Sequence, residues 1–188
     1  TSGIMLAAKT SVAHSNLTNM FAAHDLDRRY QALVWGTDID RDGTVDALLG
    51  RSTFDRKKQA VKSQGRRAIT HWHTVRSFPP FATLLECQLE TGRTHQIRVH
   101  MAHIGKSIIG DPLYGRATRA GQMPDVTSRT CLAQLRSFKR QALHAGHLSF
   151  AHPVTAEALG FTTQLPDDMQ TLIQIMDAAI SERARGKI

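Results

Sequence analysis

The sequence of 188 residues contains only two cysteines and no long apolar run. Cys87 and Cys131 cannot form a disulfide framework, and because no Cys-x-x-Cys is present, a reducing, cytoplasmic setting is expected. The longest apolar runs, such as Ile4–Ala8, are far too short to span a bilayer, so we expect no membrane partner.

The signature motifs of several enzyme classes are also missing. There is no Gly-x-x-x-x-Gly-Lys, no Gly-x-Gly-x-x-Gly and no Gly-x-Ser-x-Gly, which argues against nucleotide hydrolysis, dinucleotide chemistry and serine hydrolases. No internal repeat or low-complexity tract is found. The composition is that of an ordinary globular protein, with 41% hydrophobic and 21% charged residues, and the length fits a single domain.

The charge is strongly basic and unevenly distributed, with a formal net charge of +8. Residues 51–76 carry eight basic side chains against one acidic side chain, whereas residues 25–46 carry six Asp against three Arg. A basic segment beside an acidic one favours a polyanionic partner and a polarised surface, although a solvated loop can have the same composition. The eight basic residues are Arg51, Arg56, Lys57, Lys58, Lys62, Arg66, Arg67 and Arg76.

The spacing of apolar residues predicts a mixed α/β or α+β fold with mainly antiparallel strands. Strands are predicted at Ile4–Ala8, Arg29–Trp35, Ala68–Phe78, Thr83–Glu90 and Ala142–Phe150. Helices are predicted at Ser11–Ala23, at about His95–Ile104, at Leu132–Phe138 and from Asp167 to about Arg185. The acidic stretch Thr37–Asp46 is predicted to be a turn, with Asp42-Gly43 as its strongest signal, and Arg116–Ser128 to be a loop.

The densest polar segment is Glu90–Arg98, which reads ETGRTHQIR and lies where a predicted strand gives way to a helix. Arg93 lies at or just before the helix start, where a cation opposes the helix dipole by about 0.3–1 kcal/mol. A guanidinium at a helix N-terminus suits an anion such as a carboxylate or a phosphate. The alternative is an exposed Arg93 paired with Glu90.

Three histidines lie on or near the same predicted helix: His95, His100 and His103. Only His100 and His103 share a helical face, a zinc site needs a third strong ligand close by, and no His-Glu-x-x-His is present. We therefore expect no metal. A small metal-dependent hydrolase built on these histidines is kept as a hypothesis from another functional class.

The chain also contains a long segment with a specific resemblance. Leu84–Gly115, which reads LLECQLETGRTHQIRVHMAHIGKSIIGDPLYG, resembles the signature of the RluA-type pseudouridine synthases. Other segments match the family in the right order, namely Thr1–Thr10, Arg29–Gly36, RQALHA at Arg140–Ala145, His152-Pro153 and LPDDM at Leu165–Met169. The region before RQALHA is most similar to the RluD branch, which acts on large-subunit ribosomal RNA.

The resemblance implies a fold and a reaction. The fold would be that of the pseudouridine synthase catalytic domain, with a mixed, mainly antiparallel sheet flanked by helices and loops. The reaction would be the isomerisation of uridine to pseudouridine in RNA, with no metal or organic cofactor and with the target base flipped out of its stack. We expect a cytoplasmic monomer whose partner is RNA, large-subunit ribosomal RNA in particular.

The resemblance also implies roles for individual residues. Arg93 would be the active-site arginine that pairs with the nucleophilic Asp and touches the RNA. Tyr30 would pack on the base and help to deprotonate C5, although its alternation with Ala32 and Val34 also fits a simple core residue. Leu143 would line the uracil pocket. The other expected RNA-contacting residues are Thr94, His95, Lys57, Lys58 and Arg66.

The sequence departs from the family pattern at its start. In the family the nucleophile lies in an Arg-Leu-Asp-x-x-Thr-Ser-Gly motif, and this sequence begins at the Thr-Ser-Gly. The Asp would lie three residues before Thr1. We therefore expect residues 1–188 to be one catalytic domain truncated just after the Asp motif, inactive as given, from an active parent. A smaller departure is Ala156, where the family usually has Gly.

Two hypotheses within the same fold remain open at this point. The first is an RNA pseudouridine synthase catalytic domain, and the second is a non-catalytic RNA-binding module. They differ in whether an Asp lies at the third position before Thr1.

Overall fold

A single mixed sheet organises the protein, for which the computed structural model describes residues 1–116 and 125–185. The strand order is β1-β7-β2-β6-β5-β3-β4, and β8 pairs with β7. Only the β1–β7 pairing is parallel among the pairings of the described strands. The predicted mixed, mainly antiparallel fold is therefore confirmed. The strands are β1 Ser2–Gly3, β2 Asp27–Trp35, β3 Asp42–Arg51, β4 Gln59–Val61, β5 Arg66–Phe78, β6 Ala82–Leu89, β7 Leu143–Ala151 and β8 Ala158–Thr162.

In the described part of the chain, four helices pack on the two faces of this sheet: α1 Ser11–Ala23, α2 Gln96–His103, α3 Val126–Ser137 and α4 Asp167–Arg185. Helix α1 packs through Leu17 on Leu148 of β7, and α2 contacts β5 through a 2.9 Å hydrogen bond between His100 and Thr70. By strand alternation, Leu148 and Thr70 lie on the same face of the sheet as Tyr30. Helices α1 and α2 therefore flank Tyr30.

Helices α3 and α4 lie at the other side of the sheet and complete the main core. Met169, Leu172 and Met176 of α4 are buried together with Leu132 and Leu135 of α3. The two acidic residues at the start of α4 and the two arginines in its last turn complement the helix dipole. This apolar stripe was predicted from the sequence and is confirmed as core packing. Across residues 1–116 and 125–185, no helix is both long and apolar enough to cross a bilayer.

The strand predicted near the beginning of the sequence is wrong. Ile4–Ala8 is not a strand, since the ladder on β7 contains only Ser2 and Gly3. Ile4 and Leu6 do pack on the cluster around Leu17, but Met5 is 87% exposed. The segment therefore buries alternate side chains without a neighbouring strand to continue the pairing.

The predicted turn at Thr37–Asp46 is also wrong in its second half, because β3 begins at Asp42. Asp42 lies opposite His73, and Gly43 lies opposite Trp72. A side chain at Gly43 would collide with the indole ring of Trp72. The packing of Trp72 therefore explains the glycine at position 43, and the Asp-Gly pair belongs to a strand and not to a turn.

Four strands and part of a helix were not predicted. Strands β1, β3, β4 and β8 were missed, and α3 begins six residues earlier than the predicted helix at Leu132–Phe138. Asp125 caps this helix, with its carboxylate accepting the Ser128 N–H at 2.7 Å. The predicted loop at Arg116–Ser128 therefore ends earlier than expected, and its residues 117–124 lie outside the described part of the chain.

Candidate active site

Tyr30 lies at the centre of the sheet, on the face flanked by α1 and α2. It stands opposite Cys87 of β6 on one side and Ala145 of β7 on the other. Gly3 of β1 is the next neighbour in this row, because it lies opposite Ala145. Two strand spacings separate Gly3 from Tyr30, which is about 10 Å. The Thr-Ser-Gly segment and Tyr30 are therefore neighbours across a single strand.

The first strand is held closely on β7. Gly3 has φ +99°, and a side chain there would collide with the backbone of Ala145, so only glycine permits this approach. Ser2 Oγ lies 3.1 Å from Nδ1 of His144, which is buried. Burial lowers the pKa of His144, so its ring stays neutral beside Ser2 near pH 7.

Tyr30 is half-buried, and burial raises the pKa of its phenol. The Arg28 guanidinium acts in the opposite direction, but burial is the larger effect. Leu143 lies on the same face of β7 as Ala145 and is only 4% exposed. The floor of the site is therefore largely apolar, with one phenol group at its centre.

Arg93 lies in the loop between β6 and α2. Its Nε donates to the backbone carbonyl of Arg67 at 3.2 Å, and its backbone N–H donates to Gln96 Oε1 at 2.9 Å. Glu90 binds His71 at 2.6 Å, so the alternative of an Arg93–Glu90 pair is not found. Within the described residues, Arg93 forms no ion pair with a carboxylate.

A buried glutamine fixes the loop that carries Arg93. Gln96 accepts the Thr91 hydroxyl at 2.7 Å and donates to the Ile69 carbonyl at 2.9 Å and to Thr70 Oγ1 at 3.0 Å. Thr91 in turn accepts the Ile69 N–H at 2.9 Å. Sequence reasoning missed Gln96, because a polar residue at a helix start gives no sign of burial before its partners on β5 are known.

A second arginine, which sequence reasoning also missed, lies inside α2. Arg98 is 7% exposed and forms two hydrogen bonds of 2.7 Å with Asp111. Burial raises the pKa of Asp111, but Arg98 and the backbone N–H groups of Leu113 and Tyr114 outweigh this effect and hold that pKa below its usual value. Only the resemblance, through GRTHQIR, gave any signal for Arg98.

The beginning of β1 faces positive charge. Burial lowers the pKa of the Thr1 amino group, and Arg140 and Arg98 lower it further, whereas Asp111 raises it. Arg140 is held by Asp168 through hydrogen bonds of 2.8 and 2.6 Å. Two guanidinium groups therefore lie near the place where the chain enters β1.

Of the other predicted contact residues, Thr94 is exposed, and His95 is the N-cap of α2 with φ +59°. His95 Nδ1 lies 3.0 Å from the Tyr114 hydroxyl, which also accepts the Gln59 N–H at 2.8 Å. Burial is the main reason why the pKa of His95 is lowered. Tyr114 thus connects the start of α2 to strand β4.

The predicted RNA-contacting cations lie beside this connection. Lys57 and Lys58 belong to the tight loop 52–58 that leads into Gln59 of β4, and exposed Arg66 begins β5. Ser52 Oγ accepts the N–H groups of two loop residues, while Phe54 at the loop tip is 100% exposed. The loop therefore presents an aromatic ring among cations.

Not all of the basic segment is free of acidic partners. Arg67 is bound by Asp46, Arg76 forms an ion pair with Asp177, and Nζ of Lys58 lies 3.9 Å from Oδ2 of Asp55. These three cations contribute less free positive charge than the sequence count suggested.

The three histidines considered for a metal site are not arranged as ligands. His100 is fully buried on Thr70, His95 contacts Tyr114, and His103 is exposed. Among the described residues, no group of three or more His, Cys, Asp or Glu could hold a metal ion. The hydrolase hypothesis therefore has no metal site in this part of the chain.

The sequence and the fold of the chain are similar to those of known proteins. A family model described as RNA pseudouridylate synthase matches residues 1–103, which is more than half of the chain. Two solved human structures have a similar fold at 21% identity. RNA Pseudouridylate Synthase Domain Containing 1 covers 91% of this chain with a TM-score of 0.64, and Domain Containing 4 covers 89% with 0.67; the matches span 74% and 69% of those chains.

Curated relatives are considerably more similar in sequence. Ribosomal large subunit pseudouridine synthase D of Zymomonas mobilis is 46% identical over 178 residues, which is 94% of this chain and 53% of that protein. The synthase D of Xanthomonas campestris is 45% identical over 98% of this chain and 55% of its own length. The RNA pseudouridine synthase YlyB of Bacillus subtilis is 45% identical over 93% and 52%. The chain thus spans about half the length of these relatives.

Proposed function

Because the chain belongs to the RNA pseudouridylate synthase family, we propose that it forms the catalytic domain of an enzyme that isomerises uridine to pseudouridine in structured RNA. Its similarity to several proteins named ribosomal large subunit pseudouridine synthase D favours large-subunit ribosomal RNA as the substrate. The observation that carries the proposal is the row formed by Gly3, Ala145 and Tyr30, with cations near the start of β1.

The reaction rearranges one nucleotide without adding or removing atoms. An Asp carboxylate attacks the sugar C1′ while the bond from C1′ to N1 of uracil breaks, the uracil turns, and C5 bonds to C1′ as the carboxylate leaves. The C5 proton then leaves the ring and N1 gains a proton. The protein must hold the carboxylate, hold the detached base and exclude water from the intermediate.

Tyr30 is suited to hold the base. It presents a half-buried ring on an apolar floor, and an aromatic face supports a flipped base by stacking. Because burial raises the pKa of the phenol, Tyr30 rests in its neutral form near pH 7. Its first role is then packing, and removal of the C5 proton would follow once the base is bound. Leu143 supports the same floor.

Two arginines could hold the nucleophilic carboxylate, and we favour Arg98. It is buried and held in place by Asp111, and its charge is felt at Thr1, three residues after the position that the family motif gives to the Asp. Its bonds to Asp111 use Nε and Nη2, so Nη1 can donate to a further partner. Arg93, which the resemblance assigned to the carboxylate, would contact the RNA from its loop together with Thr94 and His95.

The cations of the loop 52–58 and Arg66 would contact RNA phosphates and supply affinity with little sequence preference. We further propose a cytoplasmic monomer that requires no metal or organic cofactor. For a protein that also carries the Asp upstream of Thr1, we expect full turnover in the presence of EDTA and elution as a monomer in size-exclusion chromatography.

The proposal also concerns the nucleophile. The family motif places the nucleophilic Asp three residues before Thr1, and the described carboxylate that pairs with Arg98 is Asp111, which lies outside that motif. We therefore propose that the 188-residue chain binds RNA but does not isomerise uridine, and that a leader ending in Arg-Leu-Asp-x-x restores turnover. The control is the same leader with Asn in place of Asp.

Tritium release from RNA labelled at C5 of uridine tests this proposal, with large-subunit ribosomal RNA and transfer RNA transcripts compared side by side. Of the three proteins, we expect only the chain with the Asp leader to release tritium, and we expect this release from the ribosomal transcript. Equal release by all three proteins would show that the nucleophile is assigned wrongly. Binding without release by any of them would favour the non-catalytic RNA-binding module.

A further inference from the structure

Arg28 is a buried cation for which the described part of the chain supplies no anion. It is 7% exposed, its Nε has no hydrogen-bond partner, and it forms no ion pair with any described carboxylate. Its guanidinium lies over the ring of Phe21 of α1, 5.3 Å from the ring centre. The end of the guanidinium lies beside Gly92, in the loop between β6 and α2.

This arrangement is energetically unfavourable for the free protein. A guanidinium keeps its charge in proteins, so it cannot escape burial by losing a proton. Arg98 is equally buried at 7%, but it is compensated by two hydrogen bonds with Asp111. Among the described residues, Arg28 contacts the face of Phe21 and no carboxylate, and a cation–π contact is weaker than a bidentate ion pair.

The loop that faces Arg28 leaves room for this guanidinium. A side-chain Cβ at Gly92 would lie 2.6 Å from Nη1 of Arg28. Glycine at position 92 therefore allows the guanidinium to lie directly beside the loop that carries Arg93. Any other residue there would push the end of Arg28 away.

The position of Arg28 relative to Tyr30 indicates which anion would bind. The two residues alternate on β2 and so share a face, and both lie between α1 and the start of α2. A nucleotide whose base packs on Tyr30 would bring its backbone to the edge of this cleft. The most abundant anion of the proposed substrate is the phosphate diester, whose oxygens match the planar guanidinium fork.

We propose that Arg28 binds a backbone phosphate next to the flipped uridine, as a counter-charge that is kept unpaired until RNA arrives. The inference rests on the proposed function for the identity of the ligand. It assigns Arg28 a role separate from those of Arg93 and Arg98, and it makes Gly92 the residue that keeps this phosphate site open.

The experiment measures two properties of Arg28→Met, which removes the charge and keeps a long side chain. Fluorescence anisotropy with a uridine-containing RNA hairpin gives the affinity over a series of KCl concentrations, and thermal unfolding gives Tm without RNA. We expect affinity to fall about tenfold or more, and the slope of log K against log [KCl] to shrink by about 0.7–0.9. We expect Tm to stay constant or rise, because an unpaired buried charge is removed.

The matched control is Arg29→Met, which removes the same charge one residue away on the opposite face, where Arg29 pairs with Asp27 at 2.9 Å. It should leave the salt slope unchanged.

A lower Tm with an unchanged slope in Arg28→Met would overturn the proposal, because a purely structural arginine would behave in that way. If Arg28→Met failed to fold, Gly92→Ala would decide, since it displaces the guanidinium and keeps its charge. Wild-type affinity in that variant would overturn the proposal.

These measurements do not depend on turnover. A protein that carries the Asp leader and binds RNA through Arg28 but releases no tritium would overturn only the isomerase assignment. A wild-type chain that fails to bind the hairpin would overturn both.

Discussion

At the scale of single residues, burial and pairing separate arginines that look alike in the sequence. Arg93 lies in a loop on a carbonyl oxygen, Arg98 is buried on Asp111, and Arg28 is buried without a carboxylate. A guanidinium that is already fixed by one carboxylate needs little reorganisation to hold another group. Arg93 therefore suits contact with RNA, Arg98 suits holding the nucleophilic carboxylate, and Arg28 suits binding a backbone phosphate. Substitutions can test the three roles separately.

In a chain that carries the Asp leader, Arg98→Lys should lower turnover at least about 100-fold, because a point charge cannot bind Asp111 and a second carboxylate in one plane. Arg93→Ala should mainly weaken RNA binding, with turnover at saturating RNA reduced about tenfold or less. Single-turnover tritium release and RNA affinity check both, with Tm as the control for folding. Complete loss of turnover in Arg93→Ala together with an active Arg98→Lys would return the carboxylate to Arg93.

A second residue-scale prediction concerns Ala156, at the position where the related family usually has Gly. Its φ is +61°, a left-handed conformation that costs a residue with a Cβ about 1–2 kcal/mol. Ala156→Gly should therefore stabilise the protein by about 0.5–1 kcal/mol, after the extra entropy of the unfolded chain is subtracted. Urea unfolding measures the change. Ala158→Gly, two residues on in β8, should destabilise, and a similar gain there would remove the conformational explanation.

At the scale of whole elements, the sequence predicted those whose pattern is local. Strand β6 alternates and α4 repeats its apolar residues at helical spacing, so both were found. Strand β3 was missed because its Asp42-Gly43 resembles a turn, whereas pairing with β5 and the ring of Trp72 determine its structure. Strand β8 was missed since most of its residues are exposed and its pairing with β7 is not local.

The candidate site follows the same rule. The strand that carries Tyr30 and the start of α2 were predicted correctly as elements, because both have a clear pattern. The contacts that define the site could not be predicted, because they join distant segments: Arg98 to Asp111, Arg28 to the loop at Gly92, and Tyr114 to Gln59. Each depends on the packing of loops that have no periodic signal.

The loop between β3 and β4 gives a prediction at this scale. Reversing the charges of Lys57, Lys58 and Arg66 to Glu should weaken RNA binding and flatten its salt dependence, by about 0.7–0.9 in slope for each phosphate that is no longer neutralised. Phe54→Ala should weaken binding by about 1–3 kcal/mol if the exposed ring stacks on a base, with the slope unchanged. Anisotropy titrations in KCl distinguish the two effects. An unchanged slope in the Glu variant would assign the cations to a solvated surface.

At the scale of the whole molecule, the sheet separates the charges that the sequence showed as adjacent segments. Asp27, Asp42 and Asp46 lie on the face opposite to Tyr30, by strand alternation. The basic loop connects through Gln59 and Tyr114 to the start of α2, on the face of Tyr30. The cations of the basic loop therefore lie on the side where RNA is proposed to bind, and Asp27, Asp42 and Asp46 lie on the other face of the sheet.

The stability of the whole molecule should depend on pH through its buried histidines. Burial lowers the pKa of His100 to about 4, from an ordinary value of 6.5, and it also lowers the pKa values of His95 and His144. Between pH 6.5 and about 4 the unfolded chain therefore binds protons that the folded chain does not, and the free energy of unfolding must fall as pH falls. The urea midpoint should be constant from pH 8 to 7 and decrease steadily from pH 6.5 to 4.5.

His100→Gln, which cannot titrate, should reduce this slope, whereas His103→Gln on the exposed side of the same helix should retain it. A midpoint that stays constant down to pH 4.5 would mean that His100 is protonated in the folded state, and that water reaches the interface between α2 and β5.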